Sequence, residues 1–264
     1  MQEFWYDGDG VQLHAVEDGR GPVVIMLHGG GGDHRACLPI VAPLSSRYRV
    51  ITPDLRSSGR SRCADPLTWD RFADDVRALM DHIGARRAVV GGVSMGAGAA
   101  LRFARRFPQR TAGLVMVWPV YGGEELGFTE YQAATFASLV PVLARVHEQG
   151  IEAFRPLYQE SPAAEAYFDG MIGSLDLPSF IATNQFMASA AQPFASVAEL
   201  ESIAVPTLLV PGNDLMHPAE VSGLYAARIP RCATAEFSET ADYESRNAAT
   251  AAAIGDFCER SAIW

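Results

Sequence analysis

Residues 91–98 read Gly-Gly-Val-Ser-Met-Gly-Ala-Gly, so Gly92, Ser94 and Gly96 form a G-x-S-x-G pattern. The pattern lies between an apolar run at 87–93 and a stretch rich in helix formers at 95–107. A serine in that context stands on a turn too tight for side chains at the flanking glycines, with its hydroxyl clear of the sheet at the amino end of a helix. The helix dipole and the unpaired N–H groups there favour a developing negative charge. Ser94 is therefore the candidate nucleophile. A second glycine cluster, Gly29 to Gly32, follows His28 and the apolar run at 22–27. Glycines in such a place let backbone N–H groups turn toward an oxyanion. The amide of Met95 with one from Gly29 or Gly30 would make a two-donor oxyanion hole, and His28 is expected to brace the loop.

These groups need a rigid sheet behind them. Residues 3–19 place Asp-Gly pairs between alternating segments, the signature of a hairpin. Continuous apolar runs follow at 22–27, 48–54, 87–93, 113–119, 206–212 and 233–237, as strands buried on both faces require. Between them, Phe72, Val76, Leu79 and Ile83 recur on one face of a helix that Thr68 can cap and Gly84 can end. Further helices are expected at 95–107 and 246–260. Strands alternating with helices predict an α/β fold: a mostly parallel central sheet with helices on both faces. Residues 120–196 break the rhythm, with helical pieces punctuated by Pro141, Pro156, Pro162 and Pro178. They read as an inserted helical lid, and the core domain as 1–119 plus 197–264.

Composition removes several classes of function. The 264 residues carry a formal charge of −10, and no basic face for nucleic acid is visible. All 21 basic residues are arginine, which excludes a lysine Schiff base, a P-loop lysine and a lysine general base. The four cysteines make no C-x-x-C pair, and without a signal peptide they read as reduced thiols of a cytoplasmic protein. No apolar run approaches membrane-spanning length, so no membrane association is expected. Metal-ligand spacings and the dinucleotide fingerprint are lacking, so no cofactor is expected. A homodimer is compatible with the sequence.

Four segments, 27–34, 50–61, 91–98 and 206–218, resemble the α/β-hydrolase superfamily in order and spacing. The resemblance implies the serine branch of that fold and makes Asp54, Arg56, Gly59 and Ser61 a loop that buttresses the oxyanion site. It also makes Asp214 the acid, which orients and charge-stabilises an imidazolium. The histidine implied by the family should follow the last strand, but Ala241 and Asp242 occupy that slot and no histidine lies beyond His217. Serine at its free pKa is a poor nucleophile, so the base matters.

Three explanations compete. A relocated histidine, His217 or else His34 or His147, activates Ser94. Alternatively Asp242 or Tyr243 acts in the vacated place, with one of Asp214 and Asp242 raised in pKa by the other. Or the hydrolytic chemistry is lost. Of the remaining histidines, His14 is expected at the surface and His82 in solvent. His34, Trp118, Tyr121 and Tyr243 are the candidate pocket residues. The implied reaction is hydrolysis of an ester, thioester or lactone of a small, largely apolar molecule. The alternatives are a non-hydrolytic catalyst of specialised metabolism (lyase, isomerase, cyclase or ring-opening enzyme) and a ligand-binding receptor.

Overall fold

The computed structural model describes residues 1–159, 162–172, 175–236 and 243–260. Its strands are β1 (Gln2–Asp7), β2 (Gln12–Asp18), β3 (Val23–Leu27), β4 (Arg49–Pro53), β5 (Ala88–Val93), β6 (Thr111–Val117), β7 (Thr207–Val210) and β8 (Cys232–Thr234). They form one eight-stranded sheet in the order β1-β2-β4-β3-β5-β6-β7-β8. The β1/β2 and β2/β4 pairs are antiparallel and the rest are parallel. The longer helices are α1 (Trp69–His82), α2 (Met95–Arg106), α3 (Glu130–Gln149), α4 (Pro162–Ile172), α5 (Leu177–Ala188), α6 (Ala219–Arg228) and α7 (Tyr243–Arg260).

Side-chain alternation explains why the runs are apolar throughout. Along β3, Ile25 and Leu27 enter one core cluster while Val24 and Met26 enter another. Residues of α1 and α2, among them Phe72, Val76, Leu101 and Phe103, belong to the first cluster. Ile254 and Phe257 of α7 belong to the second, with Ile40, Val41 and Leu44. A sheet covered on both faces needs no polar positions on its central strands. The last strand departs from expectation. It is short, ends at Thr234 and lies at the sheet edge with Ala233 and Thr234 exposed, because it has a strand neighbour on one side alone. Phe237 lies outside the described residues.

Helix α1 begins and ends as its sequence predicts. The Thr68 hydroxyl accepts the Arg71 N–H at 3.1 Å, and Gly84 adopts φ +69° while the Ala85 N–H donates to the Met80 carbonyl. Residues between β6 and β7 form a helical insertion with an apolar cluster of its own, including Val142, Phe154, Phe168 and Phe180. Hydrogen bonds fasten it to the sheet domain: Trp69 Nε1–H donates to the Ala191 carbonyl, and the Thr183 hydroxyl to the Ser57 carbonyl. No described helix is long and apolar enough to cross a membrane.

The loop after β4 is a buried polar brace. Asp54 is fully buried; Oδ1 accepts the His34 N–H and Nδ1–H, and Oδ2 accepts the His14 Nδ1–H and the Arg60 N–H. A Cβ on Gly59 would lie 2.5 Å from the Asp54 carboxyl carbon, so the brace requires glycine there. Arg56 forks onto Asp75 and reaches the Gly8 carbonyl. Ser61 accepts the His14 N–H and donates to the Asp54 carbonyl. His14, expected at the surface, is fully buried because Asp54 takes its ring.

Burial pushes the Asp54 carboxyl upward, but the hydrogen bonds from His34 and Arg60 more than offset this and hold it well below the ordinary carboxylate range. A carboxylate depressed on folding stabilises the protein above its unfolded pKa and loses that contribution as pH falls toward the folded one. Asp54→Asn should therefore cost about 2–4 kcal/mol near pH 7 in urea unfolding, with the difference shrinking below about pH 4. An unchanged midpoint at pH 7 would contradict this.

Candidate active site

Ser94 lies between β5 and α2 with φ +54° and ψ −113°, a conformation that costs a non-glycine residue about 1–3 kcal/mol. Its neighbours explain the glycines. A Cβ on Gly92 would sit 2.2 Å from Gly96 backbone atoms, and one on Gly96 would sit 2.3 Å from the Leu27 carbonyl oxygen. The turn is thus packed backbone against backbone. The Ser94 N–H donates to the Val117 carbonyl at 2.9 Å, pinning the turn to β6. Ser94 is half-buried, so its hydroxyl is not sealed in the core.

The glycine loop comes alongside. A Cβ on Gly29 would lie 3.5 Å from that of Ser94, and Gly30 faces the sulfurs of Met95 and Met187. His28 is buried, donates from Nδ1 to the Gly29 carbonyl at 2.8 Å and accepts the Leu55 N–H on Nε2 at 3.0 Å. An Nε2 that accepts carries no proton, and burial lowers the pKa of this ring accordingly. His28 is a neutral brace. Among the described residues the Met95 and Gly30 amides have no acceptor in the protein, which leaves them free for an oxyanion.

The third part follows β7. The His217 Nε2 lies 3.1 Å from the Ser94 Oγ. Its Nδ1 lies 2.9 and 3.0 Å from the two oxygens of Asp214. Asp214 Oδ1 also accepts the backbone N–H groups of Met216 and His217, at 2.9 and 2.8 Å. Burial raises the Asp214 carboxyl, but the hydrogen bonds and charge of His217 and the two amides prevail and hold it below its ordinary value. The Asp214 carboxyl thus stays ionised and accepts the Nδ1–H, which leaves the Nε2 lone pair on the side of the Ser94 hydroxyl. A Cβ on Gly212 would lie 2.4 Å from that of His217, so glycine at 212 admits the histidine. Gln132 of α3 donates to the Met216 carbonyl at 2.8 Å and to the Val120 carbonyl at 3.1 Å.

The family described as α/β hydrolase fold matches residues 22–243. The chain belongs to the α/β-hydrolase family. It is 28% identical to the pimeloyl-acyl-carrier-protein methyl ester esterase of Nitrosomonas europaea over 235 residues, 83% of this chain and 88% of that one. It is 35% identical to the 2-hydroxy-6-oxo-6-phenylhexa-2,4-dienoate hydrolase of Burkholderia cepacia over 120 residues, which span 41% of this chain and 40% of that relative. The fold is shared with a thermophilic esterase from Thermogutta terrifontis at 23% identity, covering 99% of both chains with a TM-score of 0.76. Relatives named as hydrolases support hydrolase activity in this member of the family.

Other expected site residues fall elsewhere in this α/β hydrolase. His34 does not face Ser94; its Nδ1 is taken by Asp54 at 2.7 Å and its ring packs edge-on to His14. Tyr121 is core rather than open pocket: it is 4% exposed and packs at 81° against Trp69. Trp118 sits at the end of β6, and its ring centroid lies 6.2 Å from that of His217. His82 is exposed and stacks on Phe4. Asp242 lies outside the described residues, and Tyr243 opens α7. His147 belongs to α3. Sequence reasoning missed Gly212 and Gln132. Gln132 closes a capping box with Thr129 at the start of α3, and its amide group reaches the His217 loop.

His14, His34 and Asp54 bring three metal-capable atoms within 4.8 Å of one another. Both carboxylate oxygens are already joined to the two Nδ1 atoms, so the group reads as a brace. The four cysteines are free, and burial pushes the thiols of Cys37 and Cys258 up to about 12 and that of Cys232 to about 11. Those three thiols do not compete with Ser94 as nucleophiles near neutral pH.

Gly212→Ala should displace His217 and slow fluorophosphonate labelling of Ser94 by about tenfold or more, with circular dichroism unchanged. Wild-type labelling by this variant would show that the close packing at 212 does not set the histidine.

Proposed function

We propose that this protein is a serine hydrolase in which Ser94 attacks a carboxylic ester, thioester or lactone and His217 is the base. The contact between His217 Nε2 and Ser94 Oγ carries the reading. Ser94 Oγ adds to the carbonyl carbon as its proton passes to His217 Nε2. The charge that develops on the carbonyl oxygen meets the Met95 and Gly30 amides. Collapse of the tetrahedral adduct expels the alcohol or thiol, which takes the proton from His217. Water, deprotonated by the same imidazole, then releases the acid and restores Ser94. Asp214 stabilises the imidazolium in both halves.

The helical insertion at 120–196 serves as the lid in this reading. Met187 of α5 lies over Gly30, so the insertion sets an apolar side chain beside the glycine loop. A small, largely apolar substrate suits such a neighbour. The names of the relatives, a methyl ester esterase and a dienoate hydrolase, support hydrolytic chemistry rather than binding alone.

With short-chain p-nitrophenyl esters, Ser94→Ala and His217→Ala should each lower kcat/KM by on the order of 10⁴-fold. Asp214→Asn should cost less, about 10²-fold, because its half-exposed carboxylate shares its role with water. Asp242→Asn should retain most of the rate. A His217→Ala enzyme near the wild-type rate, beside an Asp242→Asn enzyme that is inert, would move the base to position 242. Full turnover by Ser94→Ala would reject the covalent route.

A further inference from the structure

We propose that Trp118 is a positioning residue for His217, rather than part of the substrate pocket. The inference rests on the Ser94–His217 hydrolase reading above. In the sheet order, β6 lies between β5, which delivers Ser94, and β7, which delivers the histidine loop. One peptide group at the end of β6 is tied to both. The Val117 carbonyl accepts the Ser94 N–H at 2.9 Å, and the Trp118 N–H donates to the Val210 carbonyl at 2.9 Å. The Val117–Trp118 peptide is therefore a rigid spacer between nucleophile and base.

Trp118 itself is held at a cost. Its φ is +50°, a backbone region that a bulky residue rarely adopts. Its indole Nε1 is buried with no hydrogen-bond partner among the described residues. Two unfavourable features at one residue beside a candidate base point to a role that outweighs them. The positive φ brings the ring beside His217, with centroids 6.2 Å apart and planes inclined at 51°. The Arg246 guanidinium of α7 lies 5.0 Å from the same indole, joining the closing helix to the site.

A need for such a wall follows from where the base sits. Asp214 and His217 share one short loop, and the Asp214 side chain is 55% exposed. The bonds to Asp214 fix the loop and hold the Nδ1 side of the ring, while the face turned to the strand has Trp118 as its neighbour. An indole on the intervening strand restricts the imidazole to positions that face the hydroxyl. A misplacement of about 1 Å is worth about a hundredfold in rate.

The test compares Trp118→Leu, which keeps bulk without an aromatic face, with Trp118→Phe, which keeps an aromatic face. Both are assayed for fluorophosphonate labelling of Ser94 and for kcat and KM on a short-chain p-nitrophenyl ester, with thermal unfolding as the check on folding. Trp118→Leu should lower kcat and the labelling rate together by about ten- to a hundredfold with KM within about threefold, and Trp118→Phe should recover most of the loss. A rise in KM at unchanged kcat would make Trp118 a substrate contact and overturn the proposal, as would an unchanged labelling rate in Trp118→Leu. Should Trp118→Leu not fold, Trp118→Met takes its place: a wild-type labelling rate in it overturns the role, and a ten- to hundredfold loss that Trp118→Phe recovers supports it. A wild-type protein inert to the probe would instead overturn the Ser94 reading and this one with it.

Discussion

The hydrogen bond between His217 Nε2 and Ser94 Oγ joins two strand ends that are not neighbours, and most of the local architecture serves that reach. Its 3.1 Å length requires β5 and β7 to end at matching heights with β6 between them. The parallel register supplies this, pairing Val93 with Val117 and Val117 with Val210. Glycine then permits the close approaches at each end, Gly92 and Gly96 around the serine and Gly212 under the histidine. None of these contacts tolerates a β-carbon, which is why the motif residues are glycines.

Placing Asp214 and His217 on one loop changes how the pair is stabilised. Asp214 accepts two backbone N–H groups of its own loop as well as the imidazole, so its charge and its position are fixed locally. The cost is exposure, since water reaches a carboxylate on the surface side of the histidine and screens its charge. Gln132 compensates from the other side by fastening the Met216 carbonyl to the helical insertion. Movement of that insertion would therefore be felt at the His217 loop through a single amide.

The fold was legible because burial on two faces leaves an unmistakable record in apolar runs, and the strands at 23–27, 49–53 and 88–93 fall inside the segments expected of them. The serine turn was legible because its steric demands appear directly as Gly92 and Gly96. The base was not. Asp214-x-x-His217 before Pro218 reads equally as the polar start of a helix, and nothing in one dimension shows that the loop faces position 94. His14 misled for a related reason: a histidine on an N-terminal strand looks solvated until Asp54, forty residues on, is brought to its ring.

The most direct test of His217 as the base is nuclear magnetic resonance of the histidine-labelled protein with an arylboronic acid that forms a tetrahedral adduct on Ser94. The expected result is protonation of His217 on adduct formation, seen as a downfield Nδ1–H resonance that is shifted or lost in Asp214→Asn. An adduct on Ser94 that leaves the His217 ring signals unmoved would contradict the role given to that imidazole.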